Sequence, residues 1–153
     1  MALRETDIHT GLYTPGFFIA FGARELAFAR EARYPVSLMS IRIHRHAEDR
    51  AAAENGSTSS ALRTLGERIK RETGEGSIVA RVASDRIAVL LPGVTLERAR
   101  KLAEAISAGP GLSIGLASTS NGEIEISELM RQSQEALEIA RETGTTPATH
   151  PPH

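Results

Sequence analysis

The sequence predicts an α/β fold in which helices flank a mixed central sheet of about five strands that includes a β-hairpin. Three observations predict it. Residues Arg81 to Gly93, RVASDRIAVLLPG, place two alternating apolar runs around a Ser84-Asp85 turn, the sequence form of a tight hairpin. Helix-period and strand-period segments alternate along the chain in the order α-β-α-β-β-α-β-α. A hydrophobic content of 41% with 24% charged residues over 153 positions suits one domain with a proper core.

Each element has a local reason. Thr14-Pro15 supplies an N-cap and a proline at the first helical position, opening a helix that runs to about Arg33. Tyr34-Pro35 ends it, because the residue before proline is pushed out of the α region. Val36 to His44 reads as a buried strand. From Gly56 to Thr73 the chain is helical, with Leu62, Leu65 and Ile69 on one face, and Gly74 and Gly76 break it. The hairpin strands lie near Ser77–Ala83 and Arg86–Leu91. Thr95 caps a helix to about Ser107, with Ala99, Leu102 and Ile106 inward. Gly111 to Ser118 forms a further strand. Ser127 is positioned to cap a last helix that Gly144 closes after Thr143. Residues 1–144 are thus expected as a single domain. The polar, proline-rich stretch at 145–153 reads as a disordered tail.

Bulk properties exclude several function classes. A net charge of −1 gives no field to draw nucleic acid or an anionic membrane. Zero cysteines exclude disulfides and thiolate metal sites and fit a reducing compartment. No apolar run approaches membrane-spanning length and no signal peptide opens the chain, so a cytoplasmic protein is expected.

Five strings in order carry a resemblance. DIHTGLYTPGFF (Asp7 to Phe18) is similar to the opening D-x-LTGLYNRR-x-F of the GGDEF domains of diguanylate cyclases, with Asp7, Thr10, Gly11, Leu12, Tyr13 and Phe18 matching. SLMSIRIH resembles that family's D-x-D strand, and RVASDRIAVLLPG its R-Y-GGDEF-x-x-x-LPG hairpin. LSIGLA resembles S-I-G-x-A, and LMRQSQEALEIARETG the final helix. The resemblance covers residues 7–144 and implies a nucleotide cyclase palm-like fold.

Its departures fall on the chemistry. The signature itself is replaced by Ala83, Ser84, Asp85, Arg86 and Ile87. The family's two metal-holding side chains map to Arg42 and Asp85, and its guanine contacts to Arg50 and Ser59. Two-metal catalysis needs both carboxylates to activate the attacking hydroxyl and neutralise phosphate charge. A guanidinium about 4 Å from a divalent ion would repel it by roughly 8 kcal/mol at an effective dielectric of about 20. Ala83 and Ser84 add Cβ atoms where paired glycines let backbone approach phosphate. The family's R-x-x-D feedback site falls on Gly74 and Ser77, which cannot rebuild it. No metal, cofactor or cyclase activity is therefore expected.

Other residues have competing readings. Asp85 is either a surviving metal ligand or, preferably, an ordinary turn aspartate. Arg42 and Asp85 should face each other, either paired in place of the ion or separately solvated. His9, His44 and His46 lack a carboxylate at fixed spacing and read better as solvated or capping groups than as a metal site. Phe17, Phe21 and Phe28 form one stripe of the first helix, either core or an interface, while Phe18, Leu26 and Ala29 form the core stripe beside it. Phe21 could fill the space at Gly22, where the family carries leucine.

The expected function is a catalytically inactive domain used as an interaction or regulatory module, with a protein partner, a homodimer, or both. The alternative is a metal-independent receptor for a nucleotide or cyclic dinucleotide, with Arg42, Arg50, Arg86 and Arg141 as the cations.

Overall fold

The structure, a computed structural model, describes residues 5–44, 58–107 and 111–150. Its elements are α1 (Pro15–Ala32), β1 (Val36–Ile43), α2 (Thr58–Thr73), β2 (Ile78–Ala83), β3 (Arg86–Pro92), α3 (Leu96–Ile106), β4 (Leu112–Thr119), α4 (Ile126–Thr143) and β5 (Ala148–Thr149). The five strands form one sheet in the order β2-β3-β1-β4-β5. Its first three pairings are antiparallel and β4-β5 is parallel, so the sheet is mixed as expected.

Strand alternation divides the core in two. Met39, Ile41, Ile43, Val79, Ile87, Val89, Leu91, Ile114 and Leu116 face α2 and α3, where Leu62, Ile69, Ala99 and Ile106 close the layer. Val36, Leu38, Ala80, Ala88, Leu90 and Ala117 face α1 and α4, meeting Phe18, Leu26, Ala29 and Leu129. Arg42, a residue of even number on β1, therefore falls on the α4 side of the sheet.

The helix signals act largely as anticipated. Thr14 caps α1, its side chain accepting from the Phe17 backbone, and Arg33 ends the helix in the left-handed region at φ 59°. Thr95 caps α3 through the Arg98 backbone. The last helix departs from expectation. It starts at Ile126, with Glu125 at the cap position and no side-chain cap bond, so Ser127 lies inside the helix. Packing explains the shift. Ile126 is buried and its Cδ1 would lie 2.7 Å from a Cβ at Gly22, so Ile126, and not Phe21, fills the notch in α1.

Residues 145–150 also differ from the expected disordered tail. Ala148 and Thr149 pair with Gly115 and Leu116, the His150 N–H donates to the Leu116 carbonyl at 2.8 Å, and Arg100 donates to Thr149 at 3.1 Å. Unpaired backbone on β4 needs only two ladder residues to hold this segment, too short a run for a compositional signal.

Candidate functional site

The hairpin turn brings the signature positions together at the end of β1. β2 ends at Ala83, β3 begins at Arg86, and the Ile43 N–H donates to the Asp85 carbonyl at 3.1 Å, tying β1 to the turn. Ala83 and Ser84 are exposed, while Asp85 and Arg86 are partly covered. Ile87, the last signature position, is fully buried and is a core residue facing α2 and α3.

The register makes Arg42 and Arg86 direct partners across β1 and β3. Like charges in that position are unfavourable unless carboxylates intervene. Two do. Arg42 Nε donates to Asp85 Oδ2 at 3.1 Å, and Arg86 Nε lies 4.0 Å from the other Asp85 oxygen. Arg86 Nη2 stands 3.8 Å from Glu138 Oε1 on α4, and Glu138 Oε2 accepts from Arg141 Nη2 at 2.9 Å. Cation and anion thus alternate from β1 through the turn to α4.

Each of these pairs is partly solvated and contributes about 0.2–1 kcal/mol. Their main consequence is chemical. Both Asp85 oxygens face guanidinium groups, so a divalent ion there would have to displace two fixed cations. Among the described residues no group of three or more His, Asp or Glu side chains could hold a metal ion.

The remaining site residues scatter. Arg50 and His46 lie outside the described residues. His44 Nε2 and Ser113 Oγ are 2.6 Å apart, and both line a cavity of about 350 Å³ that Arg141 and Gly144 also border. Ser59 belongs to a different cluster, centred on Arg81. That guanidinium donates to Asp7 Oδ2 at 3.3 Å, to Ser59 Oγ at 3.2 Å, and to the Ala83 and Ser84 carbonyls at 3.3 and 3.0 Å. Desolvation is the largest influence on the Asp7 carboxyl and pushes its pKa up. Hydrogen bonds from Thr10 and Arg81, with the Arg81 charge, outweigh it and hold the group below its ordinary value.

Tyr13, just before α1, stacks in a ladder with Phe17 and Phe21 on the helix, centroids 4.5 and 5.6 Å apart and the two phenylalanines half-buried. Phe28 is 45% exposed and lies under the Arg24 guanidinium. The stripe is thus neither core nor uniformly bare. Sequence reasoning missed Glu138 and the hub role of Arg81. The spacing of three between Glu138 and Arg141 signals their pairing, but nothing local points Glu138 at Arg86.

Comparison with known proteins adds the context. The family model for the diguanylate cyclase GGDEF domain matches residues 4–109. The fold is similar to the GGDEF domain of FimX from Pseudomonas aeruginosa (TM-score 0.79, 22% identity, 96% of this chain and 98% of that one). It is also similar to the GGDEF domain of DgcB from Caulobacter crescentus in complex with c-di-GMP (TM-score 0.81, 19% identity, 99% and 97%). A third likeness is to the diguanylate cyclase SiaD from Pseudomonas aeruginosa in complex with its activator SiaC (TM-score 0.72, 18% identity, 91% and 58%). Among curated proteins none matches the sequence. Together with the element order, the hairpin and the sheet topology, the family match over most of the chain shows that this protein belongs to the GGDEF domain family.

Proposed function

We propose that this GGDEF domain makes no cyclic dinucleotide and serves as a regulatory interaction module in cyclic di-GMP-related signalling in the cytoplasm. One observation carries the reading: a guanidinium–carboxylate pair, Arg42–Asp85, stands where the family resemblance calls for two metal-holding carboxylates. An ion pair of this kind neutralises the carboxylate that a divalent cation would need, and it supplies no path for activating a hydroxyl. Side chains at Ala83 and Ser84 further restrict backbone access to phosphate.

The test is direct. The purified chain, incubated with GTP and either magnesium or manganese, is expected to yield no cyclic di-GMP by liquid chromatography. Sustained turnover that vanishes in Asp85→Asn would refute the reading.

A metal-independent nucleotide receptor is the second reading. Its support is the surplus of three guanidinium groups (Arg42, Arg86, Arg141) over two carboxylates (Asp85, Glu138). Calorimetry against GTP, ATP, cyclic di-GMP and cyclic di-AMP separates the two. Saturable heat with any of them that falls in Arg86→Ala favours the receptor, and silence with all four favours the interaction module.

A further inference from the structure

A groove at the base of the hairpin, the end away from the Ser84-Asp85 turn, points to a partner of definite chemistry. Its floor is the Tyr13–Phe17–Phe21 ladder on and before α1, and its far wall is Gly76, Ser77, Ile78 and Pro92. The cavity holds about 450 Å³ and adjoins a second of about 280 Å³ that shares Tyr13, Glu75 and Ser77 with it. Two adjoining cavities suit an extended segment better than one compact small molecule.

The charge at its rim is negative. Glu25 follows Phe17 and Phe21 on the same helical stripe, and Glu75 stands across from it in the turn after α2. Neither glutamate forms an ion pair among the described residues. No Lys or Arg lines the larger cavity; Lys70 borders only the smaller one, and Arg24 is stacked on Phe28. Gly74 and Ser77 stand where a cation and an acid of the feedback site would be expected from the family resemblance, so the larger cavity offers an anion no cationic side chain and a cation two carboxylates. Aromatic faces beside unpaired carboxylates match the planar, weakly hydrated guanidinium, which stacks and hydrogen-bonds at once.

We infer that this groove docks an arginine-bearing, partly apolar peptide segment of a protein partner, its guanidinium over Phe17 or Phe21 and bonded to Glu25 or Glu75. The inference rests on the interaction-module reading and gives its partner a chemistry.

The test selects a displayed random heptapeptide library on the intact chain, with the Glu25→Gln/Glu75→Gln variant in parallel. Glu75 is exposed and Glu25 half-buried at the groove rim, and glutamine keeps the size of both side chains. Arginine is expected to be enriched several-fold beside apolar residues, and the best synthetic peptide should bind the variant at least 10-fold more weakly. Replacing its arginine by neutral citrulline should cost as much. The inference is overturned by selection without arginine enrichment, by equal binding to the variant, or by agmatine competing as well as the peptide, which would make the groove a small-cation site. Dimerisation abolished by Phe21→Ser would also overturn it, by making a second copy the occupant. Cyclase activity assayed on the same preparation keeps the two readings apart, because product formation defeats the inactive-module reading while the peptide result stands or falls by itself.

Discussion

Asp7 shows how one motif residue outside the signature hairpin can still govern the fold. Its carboxylate receives the Thr10 hydroxyl at 2.7 Å, the Thr10 backbone at 3.0 Å and Arg81 at 3.3 Å. Because its folded pKa lies below the ordinary 3.8, the charged form is favoured in the native state. Its contribution is fully present above the ordinary carboxylate pKa and fades as pH falls through that value and below. Asp7→Asn should therefore destabilise the protein by about 1–2 kcal/mol at neutral pH, with the gap to the unmodified chain narrowing on acidification. Urea midpoints at several pH values between neutral and strongly acidic check this, and a gap independent of pH would contradict it. The motif opening DIHTGLY made Asp7 legible in the sequence. Its partner Arg81 was legible only as part of a string, since the two are 74 residues apart and meet only when the chain folds.

At the scale of the element, the β2–β3 hairpin was readable from alternation and the Ser84-Asp85 turn alone. What holds its tip was not. The ladder shifts register between Arg81 and Ala83, and the Arg81 side chain spans the irregularity by bonding the Ala83 and Ser84 carbonyls. On its other side the same guanidinium anchors to Asp7 and Ser59. Arg81→Ala should cost about 2–3 kcal/mol and speed amide exchange at the hairpin tip. Arg81→Lys should recover little, because an ammonium lacks the fork that reaches four acceptors. Exchange measured by mass spectrometry on both variants would expose the idea if lysine restored full protection. The start of α4 carries the opposite lesson. Ser127 had the better capping chemistry, but Ile126 had a notch to fill at Gly22, and burial outweighs a cap on an amphipathic helix.

Across the whole molecule, α4 is the keystone, since it packs on β4 and also brings Glu138 and Arg141 to the ion chain. That packing depends on Gly115. A Cβ there would overlap the backbone nitrogen of Leu137 and the carbonyl of Ser133. Backbone cannot rotate aside as a side chain can, so Gly115→Ala should destabilise by about 3 kcal/mol or more. An unchanged urea midpoint would show that the two elements sit further apart. The buried Ser40–Ser133 hydroxyl pair, 2.7 Å apart, locks the same helix to β1. No helix among the described residues is long and apolar enough to cross a membrane.

The sequence by itself determined the order of the first eight elements and a mixed sheet flanked by helices. Those follow from periodicity, caps and residue identity, which act over a few neighbouring positions. Tertiary structure alone decided that Arg42 and Arg86 face each other with Asp85 between them and that Glu138 completes the chain. It also decided that residues 148 and 149 extend the sheet, and that an aromatic ladder meets two unpaired glutamates across a groove. The physical reason is range. Charge pairs and grooves join residues tens of positions apart, and their geometry is set by strand register and helix placement, which no local pattern encodes.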